Sequence, residues 1–267
     1  MDLFTANPSA PPAILDRVAI LPSGDAAVMS RRFEPDDSLD YFPTPPWATR
    51  AVFEYVLKLH TPTRYNFLGT STLFDPACGE GHMALVLQEY SPTVIASDVF
   101  DYGFGEVRDF LTGRVPAADW VFMNPPFNEG LAFIERACSI AKYGVAVLVR
   151  TQFKEGVERY EQLFRDCPPT FSAQFVERVP MHAGRWVMNG KTATAYCWLV
   201  WITGDWSPTR EVWIPPCRRE LTHHDDWLRF GGCLNAPKKH PVHELIDFHE
   251  KEKTNTLANV RALRGRL

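Results

Sequence analysis

Along the chain, apolar positions fall first at helical spacing and then in short runs separated by further helical stretches. After the proline cluster Pro43, Pro45 and Pro46, the segment Trp47 to His60 sets Ala51, Val52, Tyr55, Val56 and Leu59 on one side of a predicted helix. Apolar runs at Ser71 to Phe74, Thr93 to Ser97, Trp120 to Met123 and Gly144 to Val149 read as strands, with helices at Met83 to Tyr90 and Leu131 to Lys142 between them. Such alternation implies a parallel sheet wound by right-handed crossovers. From Ala173 the pattern turns to β: Phe175 to Pro180 and Thr192 to Trp201 read as strands around the turn signal Asn189-Gly190, closing the sheet antiparallel. Met1 to Asp40, with its prolines and the mixed-charge run RRFEPDDSLD, reads as an extended arm. Beyond Asp205 the chain reads as irregular until a polar helix over His243 to Arg266. The expected organisation is therefore an arm over 1–40, one α/β domain over 41–204 and a C-terminal extension over 205–267.

Composition narrows the class. A chain of 267 residues has room for one α/β domain and modest appendages. Its 45% hydrophobic and 22% charged content is that of an ordinary globular protein, and runs such as Gly144 to Val149 are much shorter than a membrane span. The opening MDLFTANPSAPP lacks the basic start and continuous apolar stretch of a signal peptide, so a cytoplasmic location with reduced thiols is expected. The six cysteines (Cys78, Cys138, Cys167, Cys197, Cys217 and Cys233) form no C-x-x-C pair, against a disulfide framework or a zinc ribbon. Cys217, His223, His224, Cys233, His240 and His243 are of types that suit zinc, but their spacings match no metal signature and no metal is assigned. The net charge of −4 means that any nucleic-acid partner would have to be gripped by a local basic surface.

Three strand ends carry candidate chemistry. The first runs into Asp75-Pro76-Ala77-Cys78-Gly79-Glu80-Gly81, where small residues let the backbone pass close to a ligand at the head of the sheet. The third glycine of a dinucleotide fingerprint is missing, which disfavours a pyrophosphate-bearing guest. The second strand ends in Asp98, about twenty residues past the glycines, where a carboxylate can accept from both hydroxyls of a ribose. The run Trp120 to Met123 ends in Asn124-Pro125-Pro126-Phe127. Two prolines hold the backbone extended and remove its donors, so an amide oxygen, a fixed carbonyl and an aromatic face converge on one spot. That set suits a planar exocyclic amine: acceptors on its two hydrogens draw the lone pair out of the ring, and the aromatic ring stacks on the base. A paired base hides its amino group, so the nucleotide would have to be flipped out, at a cost of a few kcal/mol.

Taken in order, YFPTP, DPACGEG, Asp98, Asp109-Phe110 and NPPF resemble the amino-methyltransferases in which a TP motif precedes the glycine motif, including small phage- and prophage-type adenine-N6 DNA methyltransferases. The resemblance covers Tyr41 to Trp201. It implies a Rossmann-like class I methyltransferase fold, a mostly parallel seven-stranded sheet with an antiparallel C-terminal hairpin, and S-adenosyl-L-methionine as cofactor. Carried over residue by residue, Tyr41, Thr44 and Pro45 lie at the cofactor, Thr44 and Pro45 at its methionine carboxylate. Asp75 meets the amino group, Ala77, Cys78 and Gly79 run along the cofactor, Asp98 holds the ribose, and Asp109 with Phe110 holds the adenine. Asn124, Pro125, Pro126 and Phe127 then form the catalytic pocket for the target amine.

Larger members of the family carry a separate target-recognition domain, for which this chain has no room. DNA contacts are therefore expected from Arg178, Arg185, Trp186 and Lys191 in the segment after the fifth strand, with Arg218 and Arg219 as further cations. The aromatic residues Trp186, Tyr196, Trp198 and Trp201 read more readily as core than as a base-stacking surface, which gives Trp186 an inward-packed reading beside its DNA-contact one. Two other enzymes fit the motifs less well: an RNA adenine methyltransferase, against which YFPTP weighs, and a protein glutamine methyltransferase, whose tetrapeptide usually ends in tyrosine. From a different class, an idle cofactor-binding module acting through a partner would not need Asn124 and Asp98 intact.

Overall fold

The structure, a computed structural model, describes residues 41–230. The expected arm over Met1 to Asp40 and the helix over His243 to Arg266 lie outside the described residues, as do Cys233, His240 and His243.

Pro45 and Pro46 start the first helix, Pro46–Val52, where proline's fixed φ and missing N–H suit the first turn. The helix continues through Phe53–Leu57 and Lys58–His60 and buries Trp47, Ala51, Val52, Phe53 and Val56. Eight strands form one sheet: β1 (Leu73–Asp75), β2 (Val94–Asp98), β3 (Glu106–Val107), β4 (Ala118–Met123), β5 (Ala141–Arg150), β6 (Phe171–Phe175), β7 (Tyr196–Ile202) and β8 (Arg210–Ile214). Their order is β3-β2-β1-β4-β5-β7-β6-β8. β1 to β5 run parallel, while β7 is antiparallel to both β5 and β6. This is a Rossmann-like α/β architecture, a mostly parallel sheet with antiparallel strands at one side, with an eighth strand where seven were expected.

The central strands are buried on both faces, as a parallel sheet between two helical layers requires. Trp120, Phe122, Ala146, Leu148, Trp198 and Val200 face the layer containing the first helix and the helix His82–Leu87. Val121, Met123, Val145, Val147, Cys197 and Leu199 face the layer containing the helix Gly130–Ile140. Tyr196, Trp198 and Trp201 are core residues, and the buried indole N–H of Trp198 donates to the Ala48 carbonyl at 2.9 Å.

Several elements depart from the sequence expectation. β6 occupies Phe171–Phe175 rather than Phe175 to Pro180, because Phe171, Ala173 and Phe175 are the alternate positions that reach the core. The connection from Val176 to Ala195 is a loop in which Gly190 closes a local turn onto the Val187 carbonyl, so Asn189-Gly190 does not join paired strands directly. The stretch after Asp205 is not irregular throughout. β8 pairs parallel with β6, burying Val212 and Ile214 while Trp213 stays 66% exposed, and two helical turns follow at Arg218–Leu221 and Asp226–Arg229. No helix among the described residues is long and apolar enough to cross a membrane.

Candidate functional site

A cleft of about 240 Å³ opens beyond the carboxyl ends of β1, β2 and β4, where ligands sit in open α/β sheets. Of the residues expected at the cofactor, Tyr41, Thr44, Asp75, Ala77, Cys78, Asp98, Asp109 and Phe110 line it. Two do not. Pro45 instead ends its loop, its carbonyl accepting from Ala48 N–H at 2.9 Å, and Gly79 shapes the turn. Gly79 has φ 51°, and a Cβ there would stand 2.2 Å from the Tyr41 ring, so only glycine lets the tyrosine lie over the loop.

Asp75 is the most constrained of the acids. Its Oδ1 accepts from Ala77 N–H at 3.3 Å, while Oδ2 is buried with no partner. Burial, reinforced by the nearby charge of Asp98, pushes its carboxyl up to about 8. Asp98 ends β2, and its oxygens accept from Gly79 N–H at 2.9 Å and Phe100 N–H at 3.2 Å, which ties the glycine loop to the second strand. Burial raises its carboxyl too. Asp109 is exposed and held low by the Thr112 hydroxyl, with Leu111 N–H donating at 2.8 Å. Phe110 is a floor residue, packed between Phe74 and Phe133. Burial pushes the Cys78 thiol well up, out of nucleophile range.

At the end of β4 the four expected catalytic residues divide. Asn124 and Pro126 line this cleft, whereas Pro125, Pro126 and Phe127 line a neighbouring one. The Asn124 Nδ2 donates to the Phe42 carbonyl at 2.9 Å and approaches the Met181 sulfur at 3.8 Å. A carbonyl partner can only accept, so the nitrogen position is set by chemistry. The Asn124 Oδ1 is left buried with no hydrogen-bond partner. Phe127 packs on Phe42, with ring centroids 5.2 Å apart.

The segment expected to contact DNA is only partly suited to it. Arg178 and Lys191 are exposed and Arg185 is half-buried, but none of the three lines either cleft. Trp186 takes the core reading and not the DNA-contact one: it is 3% exposed, packs edge-on to Phe230 and lies beside Val86. Arg218 is likewise committed internally, to the Gly190 and Met188 carbonyls. His223, Asp225 and Asp226 come within ligand distance of one another, but both Asp226 oxygens accept from Arg50 at 2.7 Å.

Sequence reasoning missed Phe42, His82, Met83, Tyr102, Glu129 and Phe133 on the walls of the first cleft. His82 is buried, meets the Tyr41 hydroxyl through Nδ1 at 3.3 Å and is driven down to about 4 by burial, so it is neutral in the folded protein at pH 7. Tyr102, whose ring centroid lies 4.7 Å from that of Tyr41, comes from a glycine-rich loop with no motif to announce it.

No protein-family model matches the chain, and no curated protein does. Among solved structures it is similar to a type I restriction-modification system methyltransferase subunit from Streptococcus thermophilus, at TM-score 0.47 and 12% identity, covering 64% of this chain and 46% of that one. The chain thus spans under half of that subunit. It is also similar to a Listeria monocytogenes protein provisionally described as a class I S-adenosylmethionine-dependent methyltransferase, at TM-score 0.48 and 13% identity, covering 72% of this chain and 70% of that one. A third similarity is to magnesium protoporphyrin IX methyltransferase from Synechocystis with bound S-adenosylmethionine, at TM-score 0.39 and 13% identity, covering 59% and 78%.

Proposed function

We infer that this chain is an S-adenosylmethionine-dependent methyltransferase acting on the exocyclic N6 amino group of adenine in DNA. The observation that carries the reading is the Asn124 amide. Its nitrogen is occupied by Phe42, and its buried oxygen lacks a donor at the edge of the cleft. An unmatched buried acceptor is unfavourable until a donor arrives, and an amino group is the donor that fits an amide oxygen beside the fixed carbonyl of a proline pair.

The cleft residues fit the cofactor. The buried, unpartnered Asp75 Oδ2 is a place for an ammonium. Asp98 would take the ribose hydroxyls, Asp109 and Phe110 the edge and face of adenine, and Thr44 the carboxylate. When bound, S-adenosylmethionine supplies a methyl group on a sulfonium, an electrophile with a neutral thioether as leaving group. Asn124 and the Pro125 carbonyl hold both hydrogens of the target amine, draw its lone pair out of the ring and aim it. The amine acts as nucleophile without prior deprotonation and gives up one proton to water after the nitrogen has become cationic, so Asn124 serves as an acceptor and not as a base.

Incubation with tritiated cofactor and duplex DNA, single-stranded DNA, RNA or protein tests the reading. Label recovered as N6-methyladenine from DNA is the expected result. Label confined to RNA or protein would replace the substrate, and cofactor binding without transfer to any of them would overturn the enzyme.

A further inference from the structure

The cofactor-type cleft shares a wall with a second cleft of about 250 Å³, the two meeting at Pro126. Asn124 belongs to the first and Phe127 to the second, so the tetrapeptide stands between them. Two charged side chains line the second cleft, Arg150 and Arg159, and no carboxylate does. In a chain with a net charge of −4 this is a local reversal of sign.

Arg150 is the last residue of β5, and its guanidinium lies 3.5 Å from the Phe127 ring centroid. Its Nε is buried without a hydrogen-bond partner. Arg159 donates to the Glu155 carbonyl at 2.6 Å and stands 4.8 Å from the Phe153 ring. Neither Arg150 nor Arg159 is ion-paired to a carboxylate among the described residues, in contrast to Arg50, Arg108, Arg165, Arg210 and Arg229. Arg150 and Arg159 are therefore cations held by aromatic rings instead of carboxylates, and their remaining N–H donors suit phosphate oxygens.

We propose that the second cleft is a phosphodiester subsite in which Arg150 and Arg159 hold the backbone phosphate beside the target nucleotide, whose base reaches past Pro126 to Asn124. The proposal rests on the nucleic-acid reading above and adds a place of grip that the expected Arg178, Arg185 and Lys191 do not supply. Phe127, covered by Arg150, then orients the guanidinium as well as bounding the base.

The test uses the full chain and a fluorescein-labelled single-stranded deoxyoligonucleotide of about twelve residues with one adenine, titrated by anisotropy at several salt concentrations. Arg150→Gln and Arg159→Gln should each weaken binding about tenfold and lower the salt slope by about 0.7 per lost contact. Calorimetric affinity for S-adenosylmethionine should be unchanged, which a general loss of fold would not allow. Arg159, on the short helix Val157–Arg159, keeps the test open if Arg150→Gln does not fold. Wild-type affinity and slope in Arg159→Gln and in any folded Arg150 variant would overturn the subsite while leaving the methyltransferase standing. A wild-type protein that binds cofactor but no oligonucleotide would overturn the nucleic-acid reading and the subsite together. Displacement of the oligonucleotide equally by inorganic phosphate and by sulfate at about millimolar concentration would make the cleft a free-anion site, against the backbone assignment.

Discussion

The side-chain nitrogen of Asn124 donates to the backbone carbonyl of Phe42 at 2.9 Å, so a residue at the end of β4 takes its orientation from the segment preceding the first helix. This fixes which end of the amide faces the substrate. Asn124→Ala should lower turnover by about 100-fold or more, because the lost acceptor acts chiefly in the transition state. Cofactor affinity should stay within about twofold. Single-turnover transfer of tritium, with calorimetry alongside, checks both, and a variant keeping more than about a tenth of the rate would remove Asn124 from the amine.

Asp98 has two tasks, since the carboxylate that faces the cleft also accepts from Gly79 and Phe100. Asp98→Ala should weaken S-adenosylmethionine binding by about 2 to 3 kcal/mol, roughly 30- to 150-fold. Asp98→Asn keeps one acceptor oxygen and should lose less, about tenfold. Equal losses in the two variants, measured by calorimetry, would point to the loop alone and away from the ribose.

Much of this was readable in the sequence where one residue does one job. The glycine turn, Asp98 and NPPF sit at strand ends that periodicity located within a few residues, and the topology brings Asp75, Asp98 and Asn124 to one cleft as the motif order implied. What stayed hidden depends on pairing over distance. β3 is two exposed residues, too short for a period to show. β8 is an edge strand whose alternation is masked by the exposed Trp213 between Val212 and Ile214. Trp186 admitted both a core and a surface reading beside its cations, and the partner that decides between them, Phe230, lies more than forty residues away by chain numbering. Arg150 is a cation at the carboxyl end of a parallel strand, a position where a charge after an apolar run is itself a signal of a ligand site.

Asp75 should make cofactor binding depend on pH. With its folded carboxyl at about 8, above the ordinary range, the free protein carries a proton there at neutral pH that an arriving ammonium displaces. Affinity should therefore rise from about pH 6 toward about pH 8, by up to roughly tenfold per unit, and fall again above as the cofactor's own α-amino group loses its proton. Stability of the free protein runs the other way. A raised acid pKa means that the folded chain binds more protons than the unfolded one between about 4 and 8, so stability falls through that window as pH increases. Asp75→Asn should flatten both curves and weaken cofactor binding. Calorimetry in buffers of different ionisation enthalpy measures the released proton, and a flat profile in wild type would place the ammonium elsewhere.

The last prediction concerns the segment after β8, held by a buried ionic group instead of by apolar contact alone. Arg50, 1% exposed, reaches both oxygens of the fully buried Asp226, both oxygens of Glu89 and the Leu221 carbonyl, each at 2.7 Å. Arg229 adds a contact to Glu89 at 2.8 Å. Removing one partner strands the other charge away from water, so Arg50→Ala should cost about 3 to 5 kcal/mol. Replacing both Arg50 and Asp226 by apolar residues of similar volume should restore much of the loss, because an ion pair in the interior gains little over good packing. Phe230 follows directly and packs on Trp186 and His82, so release of the segment in Arg50→Ala should expose Trp186 and shift its fluorescence to longer wavelength before the sheet unfolds in urea. A single transition in the variant, with a cost below about 1 kcal/mol and no early fluorescence change, would show that Arg50 and Asp226 are not what holds the segment in place.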